Sequence, residues 1–147
     1  MEILDNDKIA DVLSAFHDGC FSCVDVLKDC LIVQVDCQYL AQMINSEFNS
    51  FYIDLIEVAD LSFKDWNQNI SRDVQFIFSS EKGICKAESN DGIIKIFVEE
   101  NVFDESPGGE IYFKVNSLKI YDEKKVPLSY LQLQEANNRY WDNFSKG

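Results

Sequence analysis

The first regular pattern along the chain is helical. In "DNDKIADVLSAFHDG", residues 5–19, Ile9, Val12, Leu13 and Phe16 fall at i, i+3, i+4 and i+7, one stripe of a 3.6-residue period. Asp5 or Asn6 stands where an N-cap belongs. Gly19 lies just past the end, where it would take positive φ, with Asp18 capping the turn. The period then changes to two. "GCFSCVDVL" and "CLIVQVDC" flank the dipeptide "KD", which predicts an antiparallel hairpin turning near Lys28 and Asp29. "QYLAQMINSEFNS" has only partial helical spacing, through Tyr39, Leu40, Met43 and Ile44, and fits either a helix or a wide connection.

Later runs read as strands: "FYIDLIEV", continued through a bulge or turn by "ADLSFKDWNQN", then "VQFIFSS", "ICKAES" and "IIKIFVEE". Between the last two, Asn90, Asp91 and Gly92 accept positive φ and give the strongest hairpin signal in the chain. "FDESPGGE" is a loop by composition. "EIYFKVNSLKIY" reads as one long strand whose apolar residues switch face between Val115 and Leu118, as at a bulge. After Pro127, which suits a first helical turn, "LSYLQLQEANNRYWDNF" returns to helical spacing, with Leu133, Ala136, Tyr140 and Phe144 near one stripe. The expected architecture is α+β: an N-terminal helix, a curved antiparallel sheet or sandwich of about seven or eight strands, and a C-terminal helix. Residues 1–147 form a single domain in this reading.

At 147 residues the chain can bury one sizeable core without a disulfide or a metal. "MEILDNDKIADVL" has no cationic stretch or cleavage site of a secretory signal, and no apolar run approaches the roughly 18 residues of a membrane span. A cytoplasmic protein is expected. The five cysteines, an odd number, then read as free thiols. The formal charge of −13 changes the picture most, because it repels phosphate backbones and anionic membranes. Lys124 and Lys125 are too short a basic cluster to reverse this. Neither nucleic acid nor membrane is expected as a partner, whereas a basic protein is.

Candidate chemistry concentrates in "AFHDGCFSCVDV", where His17, Asp18, Cys20 and Cys23 lie close together in sequence. Cys20 and Cys23 are three apart on a strand, so their side chains should point to opposite faces, and the spacing to Cys30 and Cys37 matches no zinc pattern. A redox C-x-x-C would open a helix rather than enter a strand. No metal and no cofactor is expected. His17 and Asp18 could supply acid–base catalysis, but neither Ser14 nor Ser22 has the surroundings of a nucleophile. Residues 5–16 begin like a calcium loop yet have Phe16 where the bidentate glutamate belongs. "SPGGE" lacks the lysine and helix of a phosphate loop. Tyr130, Tyr140 and Trp141, on the last helix, are candidates for a binding face.

The order "FHDG", hairpin, "IDLIEVADLSF", "DGIIKIFVE", "EIYFKVNSLKIY" resembles a group of small bacterial α+β domains with a Phe-His-Asp motif, some of which are immunity proteins of polymorphic-toxin systems. Phe16, His17, Asp18 and Gly19 carry the resemblance at motif level. It implies a non-enzymatic cytoplasmic inhibitor, monomer or homodimer, that binds a toxin domain. Two other readings stand beside it: an enzyme of unrecognised type using His17 and Asp18, and a structural subunit that makes contact through its aromatic C-terminal helix.

Overall fold

A computed structural model describes residues 2–79, 81–100 and 107–146. Helix α1 (Asn6–Ala15) begins at Asp5, whose carboxylate accepts from the backbone N–H groups of Asp7 and Lys8 at 2.8 and 3.4 Å. Its stripe, Ile9, Val12, Leu13 and Phe16, is fully buried. The chain leaves it into β1 (Cys20–Leu27) and turns over two residues into β2 (Cys30–Asp36), with Leu27 opposite Cys30. The ambiguous segment is helical: α2 spans Gln38–Ile44, with Leu40 and Ala41 buried.

There follow β3 (Ser50–Ile56), β4 (Ala59–Asp65), β5 (Ile70–Ser71), α3 (Val74–Ser79), β6 (Gly83–Asn90), β7 (Ile93–Glu99), β8 (Gly109–Lys114), β9 (Ser117–Tyr121), β10 (Pro127–Leu128) and α4 (Tyr130–Lys146). The strands form one antiparallel sheet in the order β10-β9-β3-β2-β1-β6-β7-β8-β4-β5. The class is α+β, as predicted, with the two-residue edge strands β5 and β10 beyond what the pattern suggests. The turn at Asp91 (φ 53°) and Gly92 (φ 79°) joins β6 to β7 as the sequence indicates. Of the loop read in "FDESPGGE", residues 103–106 lie outside the described residues.

Three segments depart from expectation. Residues 74–79 of "VQFIFSS" form the helix α3, because Asp73 caps it by accepting from the N–H of Gln75 at 3.0 Å and because Ile77 and Phe78 bury on adjacent helical positions. Pro127 belongs to β10, an edge strand that tolerates its missing donor. Helix α4 instead starts at Ser129: its hydroxyl accepts from Gln132 N–H at 3.0 Å, while the Gln132 side chain accepts from Ser129 N–H at 2.7 Å, a reciprocal capping box. "EIYFKVNSLKIY" divides into β8 and β9, which lie far apart in the strand order.

That division explains how the sheet folds. β3 pairs with β9, and β4 pairs with β8, so the run β3–β4 lies antiparallel to β8–β9 along its whole length. Between the two pairings Asn116 N–H still donates to Ile56 O at 2.9 Å. The ribbon bends there, with Glu57 and Asp60 in left-handed backbone at φ 54° and 56°. Strands that switch sheets at bends make the corners of a folded-over sheet. On its other side the sheet is joined by a short junction, with Cys20 opposite Gly83 and backbone hydrogen bonds from Ile84 N–H to Gly19 O and from Asp18 N–H to Ile84 O. α3 lines the β1 side of the opening that follows, where Phe78 meets Phe21 edge-on at 5.2 Å. Helix α1 lines the β6 side, where Ser14 Oγ accepts from Ala87 N–H at 2.9 Å and donates to Ala87 O at 3.0 Å. The inward residues of both halves, among them Val33, Ile53, Ile96 and Ile111, form one core with α1. Lys82 is a charged residue buried at 0% exposure, its Nζ donating to Phe76 O at 3.0 Å and lying 3.9 Å from the centre of the Phe76 ring.

Candidate functional site

The corner between α1 and β1 is built by a close approach rather than by a flexible residue. Asp18, not Gly19, takes the left-handed conformation, at φ 66°. Asp18 N–H donates to Ile84 O at 2.9 Å, and Gly19 N–H donates to Phe16 O at 2.9 Å. A Cβ on Gly19 would stand 2.7 Å from Asp36 O and 2.9 Å from both Cys37 Cβ and Phe16 O. Asp36 and Cys37 end β2 and begin the turn into α2, so this contact sets α2 against the end of α1.

From α2, Tyr39 reaches the corner. Its hydroxyl donates to His17 O at 2.8 Å and lies 3.4 Å from His17 Nδ1. His17 Nδ1 is also 3.4 Å from Asp18 Oδ2, with the imidazole 30% exposed and the carboxylate 81% exposed. Helix α4 covers the other side. Trp141 lies 5.1 Å from the His17 ring, Tyr140 lies 4.4 Å from Tyr39, and Phe144 stands 5.6 Å from Trp141. The Trp141 indole N–H donates to Asn137 Oδ1 at 3.2 Å, which leaves only apolar ring surface facing outward. Trp141 is 37% and Phe144 67% exposed. Arg139 fastens α4 to α2 by donating to Met43 O at 3.0 Å. Beside it, Met43, Ile44, Leu128, Glu135, Arg139 and Asp142 line a cleft of about 590 Å³.

The structure therefore joins His17 and Asp18 to Tyr140 and Trp141 in one aromatic corner with the exposed Asp18 carboxylate at its edge. Tyr130 does not belong to it. It lies ten residues earlier on α4, roughly 15 Å along the axis, where its hydroxyl donates to Asp11 at 3.0 Å and Lys8 lies 5.4 Å over its ring. The sequence reading missed Tyr39, whose helix was ambiguous.

The geometry of the cysteine pair also differs from expectation. A bulge between Phe21 and Cys23 adds a residue to β1, so Cys20 pairs with Asp36 and Cys23 with Gln34, neighbours on one face of β2. Both thiols thus share the outer face instead of diverging. No group of three or more His, Cys, Asp or Glu side chains converges to hold a metal among the described residues. Cys23 donates to Gln34 Oε1 at 3.2 Å. Burial pushes the Cys20 and Cys37 thiols up to about 11, so both are protonated at neutral pH and poor nucleophiles. Ser14 is occupied by the Ala87 backbone, and Ser22 Oγ lies 3.4 Å from Gln34 O. Among the described residues no helix is long and apolar enough to cross a membrane.

No family model, curated protein or solved structure matches the chain.

Proposed function

We infer that this protein is a non-enzymatic binding module whose α4 corner docks a basic protein. The observation that carries this reading is the cluster of Trp141 and Phe144, 37% and 67% exposed, over Tyr39, Tyr140 and His17, with the exposed carboxylate of Asp18 at its rim and Asp142 in the neighbouring cleft. Aromatic anchors inside a charged rim are the composition of energetically dominant interface centres. A guanidinium or ammonium group suits both parts, stacking on the indole and pairing with a carboxylate. The charge of −13 would steer such a partner to the surface from a distance. A cytoplasmic immunity-type inhibitor that blocks a toxin domain is the specific form we favour.

The test is to look for a basic toxin domain encoded beside this gene and to measure association with it by stopped flow and by rescue of growth; a neighbourhood without one counts against the immunity form of the reading. The association rate should fall steeply as salt rises to roughly 0.5 M. Replacing Trp141 and Phe144 together by alanine should weaken binding at least about tenfold and abolish rescue, with an unchanged circular dichroism spectrum. Tight binding that ignores both salt and these substitutions would remove the basis of the reading.

A further inference from the structure

The half of the sheet formed by β6, β7, β8 and β4 presents an outward face that is not acidic. Its residues stand in rows across the strands. Lys86, Phe97, Glu110 and Lys64 are successive ladder partners, as are Glu88, Lys95, Tyr112 and Ser62. Three lysines meet two carboxylates in these rows, against an excess of acid over the whole chain. The three lysines come from three strands, β6, β7 and β4, and are scattered in sequence, so only the ladder reveals them as one patch.

The two rows are chemically complementary. On β6, Lys86 pairs with Glu88 at 3.3 Å; on β7, Lys95 lies 5.3 Å over Phe97; on β8, the Tyr112 hydroxyl donates to Glu110. In each case the partners are two residues apart on one strand, one in each row. A two-fold axis lying between the rows and crossing the strands exchanges the rows. It therefore sets Lys86 of one copy against Glu88 of the other, Phe97 against Lys95, and Glu110 against Tyr112. Each of these three contacts within a copy has an equivalent between copies, with no like charges opposed in the two rows. The strands of the two faces run antiparallel within the tilt that sheet twist imposes on aligned packing.

We propose that this face is the contact between two copies of the chain, related by that axis. Helix α1 lies along β6 on the core side of this half, so the contact leaves the aromatic corner at the end of α1 open, and a dimer carries two such corners. Four strands with two to three outward positions each cover roughly 400 Å² per copy in projection. Twice that area is below the roughly 1,200 Å² of a standard interface, so the dimer is weak and rapidly exchanging.

The experiment is sedimentation of the full chain at low salt from micromolar to sub-millimolar concentration, with charge-reversal variants. Lys86 and Glu88 are 60% and 50% exposed, so neither substitution disturbs the fold. Lys86→Glu opposes two glutamates across the axis and Glu88→Lys opposes two lysines, and each should weaken self-association at least about tenfold. An equal mixture of the two variants should recover association to the wild-type level or beyond, because every opposed pair is again of opposite sign. Trp141→Ala should leave self-association unchanged, which separates this proposal from the function of the corner. A wild-type chain that stays monomeric at the highest concentration overturns the proposal. So do variants that associate like the wild type, or a mixture that fails to recover.

Discussion

Gly19→Ala is the sharpest test of how the corner is built. Glycine after a helix is usually explained by positive φ, but here the left-handed residue is Asp18, and Gly19 is required for space. The new Cβ would meet Asp36 O, Cys37 Cβ and Phe16 O, all nearer than 3.0 Å, a separation that Cβ atoms essentially never show. Two of these atoms are backbone and cannot rotate away. Relief requires β2 and the start of α2 to move from α1, which strains the Cys20–Asp36 pair and the bond from Ile84 N–H to Gly19 O, now 2.8 Å. Overpacking of this kind costs about 1–3 kcal/mol, and each weakened hydrogen bond adds about 0.5–1.5 kcal/mol, so a loss near 3 kcal/mol is expected. In a chain of this length that lowers Tm by about 6–12 °C. Asp18→Gly is the informative partner: it relieves left-handed backbone and should stabilise by up to about 1 kcal/mol. Urea unfolding of the two variants decides the matter. A loss below about 1 kcal/mol for Gly19→Ala would refute the steric account.

Ser117 is fully buried and its hydroxyl has no hydrogen-bond partner among the described residues, so Ser117→Ala should leave stability unchanged or raise it by up to about 1 kcal/mol in urea unfolding, where a bonded buried serine would lose stability. Asp73→Ala removes the cap of α3 and should cost about 1 kcal/mol by the same measurement, with loss of Phe78 packing visible in near-ultraviolet dichroism. The buried thiols predict a pH dependence. Their acids are raised in the fold and normal when unfolded, so between about pH 9 and 11 the unfolded chain holds fewer protons and stability falls as pH rises. The combined Cys20→Ala and Cys37→Ala variant should flatten that fall, and alkylation of these two thiols in the native protein should speed up about tenfold per pH unit from 8 to 10.

How much of this was legible depends on the range of the interactions. Helix α1, the first hairpin and the Asp91–Gly92 turn follow from residues within a few positions of each other, where apolar period and turn chemistry act directly. The misread elements were decided from further away. "VQFIFSS" has strand composition, yet its residues 74–79 are helical because they lie along β1 and send Phe78 onto Phe21 and Phe113. The face switch in "EIYFKVNSLKIY" was visible, but its meaning, a corner where the chain passes from one half of the sheet to the other, depends on pairing with β3 and β4. The burial of Lys82 has no local signal at all, since its neighbours Glu81 and Gly83 are polar or small.

For the candidate sites the division is similar. The sequence by itself determined that the chain is acidic, ends in an aromatic helix, and places His17 at the end of α1. Only the tertiary structure decided that Trp141 closes over His17 and Tyr140 over Tyr39 while Tyr130 turns to α1, that one extra residue in β1 puts both cysteines on one face, and that lysines from separate strands share a surface. The physical reason is the same in each case. Helix and strand periods fix which way a side chain points from its own element, whereas what it meets there is set by ladder register, bulges and bends formed with residues far along the chain.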